Sequence, residues 1–174
     1  LTGAKGRERN IITSIRMGAA DLEAFNITLQ EKLTLIQNNE VRYEEFFVED
    51  AELVVVAFGM AARVAQTAVR RLRNEGLPVG LVRPITLWPF PEAPLVKLAD
   101  SAKAFLVVEM NAGQMLHDVR AAVGTQIPIK FLGRMGGVVP MPDEVEDRVR
   151  TLLALFGESE RHLYQESGNG HHNR

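Results

Sequence analysis

Phe105-Leu106-Val107-Val108-Glu109-Met110-Asn111-Ala112-Gly113-Gln114-Met115 starts as an unbroken apolar run and stops at a carboxylate, an amide and a glycine. A continuous run of this kind predicts a strand buried on both faces, as strands of parallel sheets are, and the stretch Met115 to Val123 predicts a following helix. In an open α/β sheet the carboxyl ends of the strands face a crevice between helices, where ligands and partners are met. Glu109 and Asn111, with Gln114 just beyond, stand at that place. Two readings of them are open. They can present hydrogen-bonding groups to a ligand or neighbouring subunit, or they can tie down the Ala112-Gly113 turn and the free N–H groups of the next helix.

The same rhythm extends in both directions. Leu53-Val54-Val55-Val56-Ala57-Phe58 is a second buried strand, ending at Gly59, and Ala61 to Glu75 follows with Ala61, Val64, Ala65, Ala68, Val69 and Leu72 on one helical face. Val79 to Arg83 is the next strand, Glu92 to Ser101 a short helix, Ala104 to Glu109 the strand quoted above and Ile127 to Leu132 the last. A final helix begins near Pro142, with Asp143, Glu144, Glu146 and Asp147 early and Arg148 and Arg150 later, an order that suits the helix dipole; Gly157 is expected to end it. Arg42 to Val48 predicts a short strand whose Glu44 and Glu45 suit a sheet edge. Alternating strands and helices on short loops imply a three-layer α/β/α sandwich around a mostly parallel sheet.

Three segments are expected. Residues 1–40 form an N-terminal connector whose helix, about Ala19 to Asn38, carries a narrow apolar stripe of Leu22, Phe25, Leu29, Leu33 and Ile36 that needs a surface to lie against. Residues 41–157 form the α/β domain. Residues 158–174 are polar, end in Gly168-Asn169-Gly170-His171-His172-Asn173-Arg174 and read as a disordered tail.

Composition removes several classes of function. The chain has 174 residues, 46% of them hydrophobic, which is enough for a proper core. Its 20 basic and 22 acidic side chains leave a net charge of -2, so no overall field draws in nucleic acid or anionic lipid. Without cysteine there is no disulfide, no thiolate nucleophile and no cysteine-held iron–sulfur cluster. No apolar run reaches the roughly 20 residues that span a bilayer, and the start at Leu1 lacks a signal-peptide hydrophobic region, which fits a cytoplasmic protein. The absence of an initiator methionine suggests a processed chain or a fragment.

Among the motifs, Gly59-Met60-Ala61-Ala62-Arg63 follows a strand and opens a helix but has one glycine where a dinucleotide fingerprint wants three. No Walker A loop, His-Glu-x-x-His or Gly-x-Ser-x-Gly elbow occurs. His117 and Asp118 are neighbours on a predicted helix and point in different directions. His171 and His172 on the tail make no preorganised metal site. Arg63, Arg70, Arg71 and Arg73 crowd one helix, either as a cationic patch or as a solvated face. The loop Gly133-Arg134-Met135-Gly136-Gly137 offers one cation and flexible amides for an anion, or a simple turn. Trp88 and Phe90, flanked by Pro84, Pro89, Pro91 and Pro94, occupy a loop too stiff for a linker, which either folds back on the domain or docks a partner.

Four strings in order bring a family into view: Val55 to Gly59, Arg83-Pro84-Ile85-Thr86-Leu87-Trp88-Pro89-Phe90-Pro91, Val107 to Met115, and Gly133 to Pro140. Together, over about Asn10 to Phe156, they resemble the C-terminal region of the alpha subunit of 2-oxoacid:ferredoxin oxidoreductases, the group with the 2-oxoglutarate and 2-oxoisovalerate enzymes. The resemblance implies a transketolase C-terminal-like domain with a five-stranded sheet of order 1-3-2-4-5, its first strand an antiparallel edge, and a switch point between Leu53 to Phe58 and Ala104 to Glu109. It implies a parent enzyme that decarboxylates a 2-oxoacid onto coenzyme A, using thiamine diphosphate, magnesium and iron–sulfur clusters to pass electrons to ferredoxin.

None of that machinery is carried over onto this chain. A thiamine-pyrimidine domain and a Gly-Asp-Gly metal segment are both missing from the sequence, and Glu109 does not correspond to the glutamate that activates thiamine. The expected role is therefore a non-catalytic structural and interface domain, inactive alone, whose partners are the other domain of the alpha subunit and the beta and gamma subunits of an oligomer. Candidate crevice and interface residues are Gly59, Arg63, Trp88, Phe90, Glu109, Asn111, Gln114 and Arg134. The alternative is a stand-alone module binding a small ligand, nucleotide or coenzyme A near Gly59, Glu109 and Asn111.

Overall fold

A computed structural model of the chain describes residues 4–12, 15–125 and 127–168, with side chains as far as residue 157. It divides into two compact units, Leu1–Asn39 and Glu40–Arg174. In the first, α1 spans Ala19–Asn39 and buries none of its residues. Leu22, Phe25 and Leu29 are exposed, while Leu33 and Ile36 are half-buried. Arg16 clips the start of this helix, pairing with Asp21 at 3.2 Å and lying 4.2 Å from the centroid of the Phe25 ring.

The second unit holds β1 (Tyr43–Phe46), β2 (Leu53–Ala57), α2 (Gly59–Asn74), β3 (Val79–Pro84), α3 (Glu92–Ala99), β4 (Ala104–Glu109), α4 (Gln114–Val123), β5 (Ile129–Gly133) and α5 (Pro142–Gly168). The strands make one sheet in the order β1-β3-β2-β4-β5, with β1 antiparallel to β3 and the other pairs parallel. Every residue of β2 and β4 is buried. Because side chains alternate along a strand, each central strand feeds two half-cores. Leu53, Val55, Ala57, Leu106 and Val108 meet α2 and α5 on one face, whereas Val54, Val56, Phe105 and Val107 meet α3 and α4 on the other. Each of these buried valines and leucines, and Phe105, stabilises the fold by about 1.5–3 kcal/mol relative to exposure, which is why the apolar runs dictate the sandwich.

The edge strand is charged for a physical reason. Glu44 and Arg83 are register partners across β1 and β3, and their side chains pair at 2.9 Å, which caps a row of otherwise open ladder groups with ions. Arg42 to Val48 shortens to Tyr43–Phe46 because Phe47 adopts a left-handed backbone, φ 55°, that ends the extension.

One boundary differs from expectation. The last helix does not stop at Gly157 but continues to Gly168, so much of the segment read as a polar tail is helical; residues 169–174 lie outside the described residues. An internal glycine costs a helix only about 1 kcal/mol relative to alanine, and the Glu, Arg, Leu and Gln residues that follow favour helix enough to offset it.

Candidate functional site

The carboxyl ends of β2, β3, β4 and β5 form one rim, and each candidate residue takes its position from the element that carries it. Gly59 opens α2 with φ +58°, so a tight strand-to-helix turn accounts for the glycine. Arg63 is exposed one turn further along the same helix. Trp88 is 54% exposed and joined to the buried Pro89 by a cis peptide bond, while Phe90 is half-buried against the core face that holds Val54 and Val82.

Glu109 ends β4 with no exposed surface. Its two carboxyl oxygens accept hydrogen bonds from the backbone N–H groups of Met115 and Leu116, each 2.9 Å. Asn111 Oδ1 accepts from Gly113 N at 2.7 Å and Gln114 N at 2.9 Å. Four donors at the start of α4, which has no partner for them within the helix, are thus satisfied by two side chains. The carboxyl group also lies against the positive end of the helix dipole. Gly113, at φ +105°, lets the chain turn into the helix, and a β-carbon there would approach Leu116 Cδ2 at 3.2 Å. The geometry is that of an anchor. Gln114 is exposed at the first turn of α4.

Arg134 leaves β5 and pairs with Glu144 in the first turn of α5. Glu144 also accepts from Met141 N at 2.9 Å, the reach-back half of a capping box. Gly136 and Gly137, both with positive φ, carry the chain round a turn closed by Val138 N to Met135 O at 3.3 Å. The arginines of α2 divide. Arg71 faces Asp143 and Glu146 of α5 at 3.2 Å each, and Arg73 is bound elsewhere, so the helix is no uniform cationic patch.

Sequence reasoning missed two features. Arg73 is a brace: it makes a two-point contact with Asp50, donates to Phe47 O and Val79 O at 2.6 Å, and lies 5.7 Å from the Phe47 ring centroid. The Arg73 hydrogen bond holds the Asp50 carboxyl below its ordinary value, outweighing the cost of its partial desolvation. Long-range ion pairs of this sort leave no local pattern. The second feature is a set of exposed methionines, Met60, Met110, Met135 and Met141, on the rim loops; their signal is the near-absence of charge in those loops.

Residues at the strand tips do not fit thiamine diphosphate or its metal. The only carboxyl group there is bonded to α4, and among the described residues no three His, Asp or Glu side chains cluster to hold an ion. An iron–sulfur cluster has no thiolate to bind in a chain without cysteine.

Residues 51–145 match the family model described as pyruvate:ferredoxin oxidoreductase core domain II. The ketoisovalerate oxidoreductase subunit VorB of Methanothermobacter marburgensis is 44% identical over 157 residues, covering 90% of this chain and 44% of that protein. The chain therefore spans less than half the length of this curated relative. Among solved structures, the 2-oxoglutarate:ferredoxin oxidoreductase from Magnetococcus marinus, with 2-oxoglutarate, coenzyme A and succinyl-CoA bound, superimposes with a TM-score of 0.73 at 24% identity, over 87% of this chain and 28% of that one. A split-gene transketolase, in an inactive beta4 tetramer, gives 0.55 at 21% identity over 66% of this chain and 42% of that one. Both structural likenesses speak for the fold, a five-stranded α/β sandwich shared with transketolase.

Proposed function

This chain belongs to the pyruvate:ferredoxin oxidoreductase core domain II family, and from that membership we propose that it is a non-catalytic structural and interface domain of the alpha subunit of a 2-oxoacid:ferredoxin oxidoreductase. The observation that carries the reading is the use of Glu109 and Asn111: the polar groups best placed to act at the crevice are bonded to α4 instead. Their contribution is rigidity. A body that holds catalytic domains in register matters because a misplacement of about 1 Å can cost on the order of a hundredfold in rate.

Within the proposal, residues 1–40 are the connector, residues 41–157 the docking body, and Gly59, Arg63, Trp88, Phe90, Gln114 and Arg134 its interface candidates. Partners are the other domain of the same subunit and the beta and gamma subunits, which supply thiamine diphosphate, magnesium and iron–sulfur clusters and accept coenzyme A. No helix among the described residues is long and apolar enough to cross a membrane, in keeping with a cytoplasmic assembly.

Calorimetry on the 174-residue chain tests this directly. Titration with thiamine diphosphate and magnesium is expected to give no heat of binding, and ferredoxin is expected to stay oxidised in the presence of 2-oxoacid and coenzyme A. Tight, magnesium-dependent thiamine binding overturns the reading. Saturable binding of coenzyme A or a nucleotide, lost on substitution at Gly59 or Asn111, replaces it with the ligand-module alternative.

A further inference from the structure

Arg42 stands directly before β1, two residues past Glu40, where the second compact unit begins. Both of its backbone polar groups are taken up by residues 85 and 86. The Arg42 carbonyl accepts from Ile85 N at 2.9 Å and from Thr86 N at 3.1 Å, and the Arg42 N–H donates to Thr86 Oγ1 at 3.0 Å. The Thr86 hydroxyl lies 3.4 Å from the same carbonyl. Tyr43 is the register partner of Pro84, so Arg42 faces Ile85 one step beyond the ladder of β1 and β3. That last step is closed by a side chain, a hydroxyl standing where a carbonyl would accept the Arg42 N–H.

Residues 85–91 need such a fastening. Leu87 and Trp88 are 42% and 54% exposed in the middle of the loop, so packing holds them only in part. Pro84, Pro89 and Pro91 are buried but carry no N–H with which to bond to the sheet. The far end of the loop is fixed by the burial of Pro89 and Pro91, and the near end by the two N–H groups on Arg42 O and the hydroxyl on Arg42 N. Thr86 also suits the task by shape: its β-branched side chain restricts χ1, which keeps Oγ1 aimed at Arg42.

We propose that Thr86 is a positioning residue that joins the entry of the chain into β1 to the base of the Trp88 loop, so that displacement of either segment is transmitted to the other. The bonds belong equally to both segments. A force that lifts Thr86 strips the Arg42 N–H of its acceptor, and a shift of Arg42 releases the N–H groups of Ile85 and Thr86 together with the hydroxyl. Coupling of this kind is reciprocal: a contact at Trp88 that favours the closed joint is favoured by the closed joint to the same extent. Use of the joint rests on the interface reading of Trp88, in which a partner seated there would steady residues 40–42, through which residues 1–39 are attached. The joint itself is a property of the chain alone.

Hydrogen exchange and fluorescence on the 174-residue chain test it, because the chain has one tryptophan and its emission reports this loop alone. Thr86→Val keeps the shape and deletes the hydroxyl; the amides of residues 41–43 are expected to exchange about five- to tenfold faster, those of β2 and β4 to keep their protection, and Thr86→Ser to restore the original rate. From the other side, Arg42→Pro deletes the N–H, whereas Arg42→Ala keeps it and removes only the guanidinium that pairs with Glu40. Acrylamide quenching of Trp88 is expected to rise in Arg42→Pro and to stay unchanged in Arg42→Ala. Circular dichroism verifies the fold; if Arg42→Pro does not fold, the exchange rates of the two Thr86 variants decide. Unchanged exchange at residues 41–43 in Thr86→Val, faster exchange across all strands alike, or quenching unmoved in a folded Arg42→Pro overturns the proposal. No partner subunit enters these readouts, so their failure leaves the interface reading standing, and a Trp88 that stays exposed in the assembled enzyme removes that reading and not the joint.

Discussion

Glu109 and Asn111 divide the start of α4 between them: the carboxyl oxygens take the N–H groups of Met115 and Leu116, and the amide oxygen takes those of Gly113 and Gln114. Two residues apart at the end of β4, they fix the start of α4 by hydrogen bonds, adding to the packing of α4 against Phe105 and Val107. Glu109→Gln turns one acceptor into a donor that faces a buried N–H, and is expected to cost about 1–3 kcal/mol in chemical denaturation. Asn111→Ala removes a half-buried cap and is expected to cost about 1 kcal/mol. Because the two act on one helix end, the double variant should lose less than the sum, and strict additivity would show that they work independently.

Arg73 supplies the second fastening. Its guanidinium binds Asp50 and the carbonyls of Phe47 and Val79, which locks the left-handed Phe47 that ends β1. Arg73→Ala leaves those carbonyls without their donor and is expected to cost about 2–4 kcal/mol, given about 1.5–3 kcal/mol for a hydrogen bond to a charged group. Arg73→Lys should recover little, because one ammonium cannot reproduce the planar fork. Hydrogen exchange is the check: amides of residues 47–51 should exchange faster in both variants, and unchanged protection there would refute the brace.

The sandwich was legible because β2 is apolar throughout and β4 is apolar up to its terminal Glu109, and a strand buried on both faces can belong only to the middle of such a sheet. The edge strand was legible from Glu44 and Glu45. What could not be read was how polar groups spend their hydrogen bonds. Glu109 looks identical in sequence whether it meets a ligand or Met115 N, since the outcome depends on where α4 starts relative to β4. The reach of α5 past Gly157 was hidden for a simpler reason: a weak helix breaker is followed by Glu158, Glu160, Arg161, Leu163, Gln165 and Glu166, all good helix formers, and the local cue is the smaller term. The strand order came from resemblance to a family; periodicity alone gives the elements and not their arrangement.

Two ion pairs with exposed carboxyl groups shape the acid response. The Arg150 hydrogen bond holds the Glu75 carboxyl below its ordinary 4.5, and Arg73 does the same for Asp50 against 3.8, in each case outweighing desolvation. A carboxyl whose folded pKa is depressed adds stability that is complete above its unfolded pKa and disappears as pH falls through the folded one. Stability should therefore be level through the neutral range and decline below about pH 4.5. Glu75→Gln should flatten the upper part of that decline and Asp50→Asn the lower part. A thermal-melting profile with an unchanged acid limb in both variants would contradict the assignment.

Gly80 tests the packing of the edge against the sheet. It sits in β3 beneath the turn that follows β1, and a β-carbon there would stand 2.8 Å from Phe47 O, 3.1 Å from Val48 Cα and 3.1 Å from Ala51 Cβ. Two of those atoms are backbone, so the strain cannot be relieved by turning a side chain. Gly80→Ala is accordingly expected to cost about 1–3 kcal/mol through displacement of residues 47–51. Adding Ala51→Gly removes only one of the three contacts and should restore a minor part of the loss. Because Arg73 grips the same Phe47 carbonyl, Gly80→Ala should also loosen that bond, and its effect combined with Arg73→Ala should fall short of the sum. Full additivity would mean that the glycine and the arginine restrain the turn separately, and that the turn is not the single joint between the edge strand and the core.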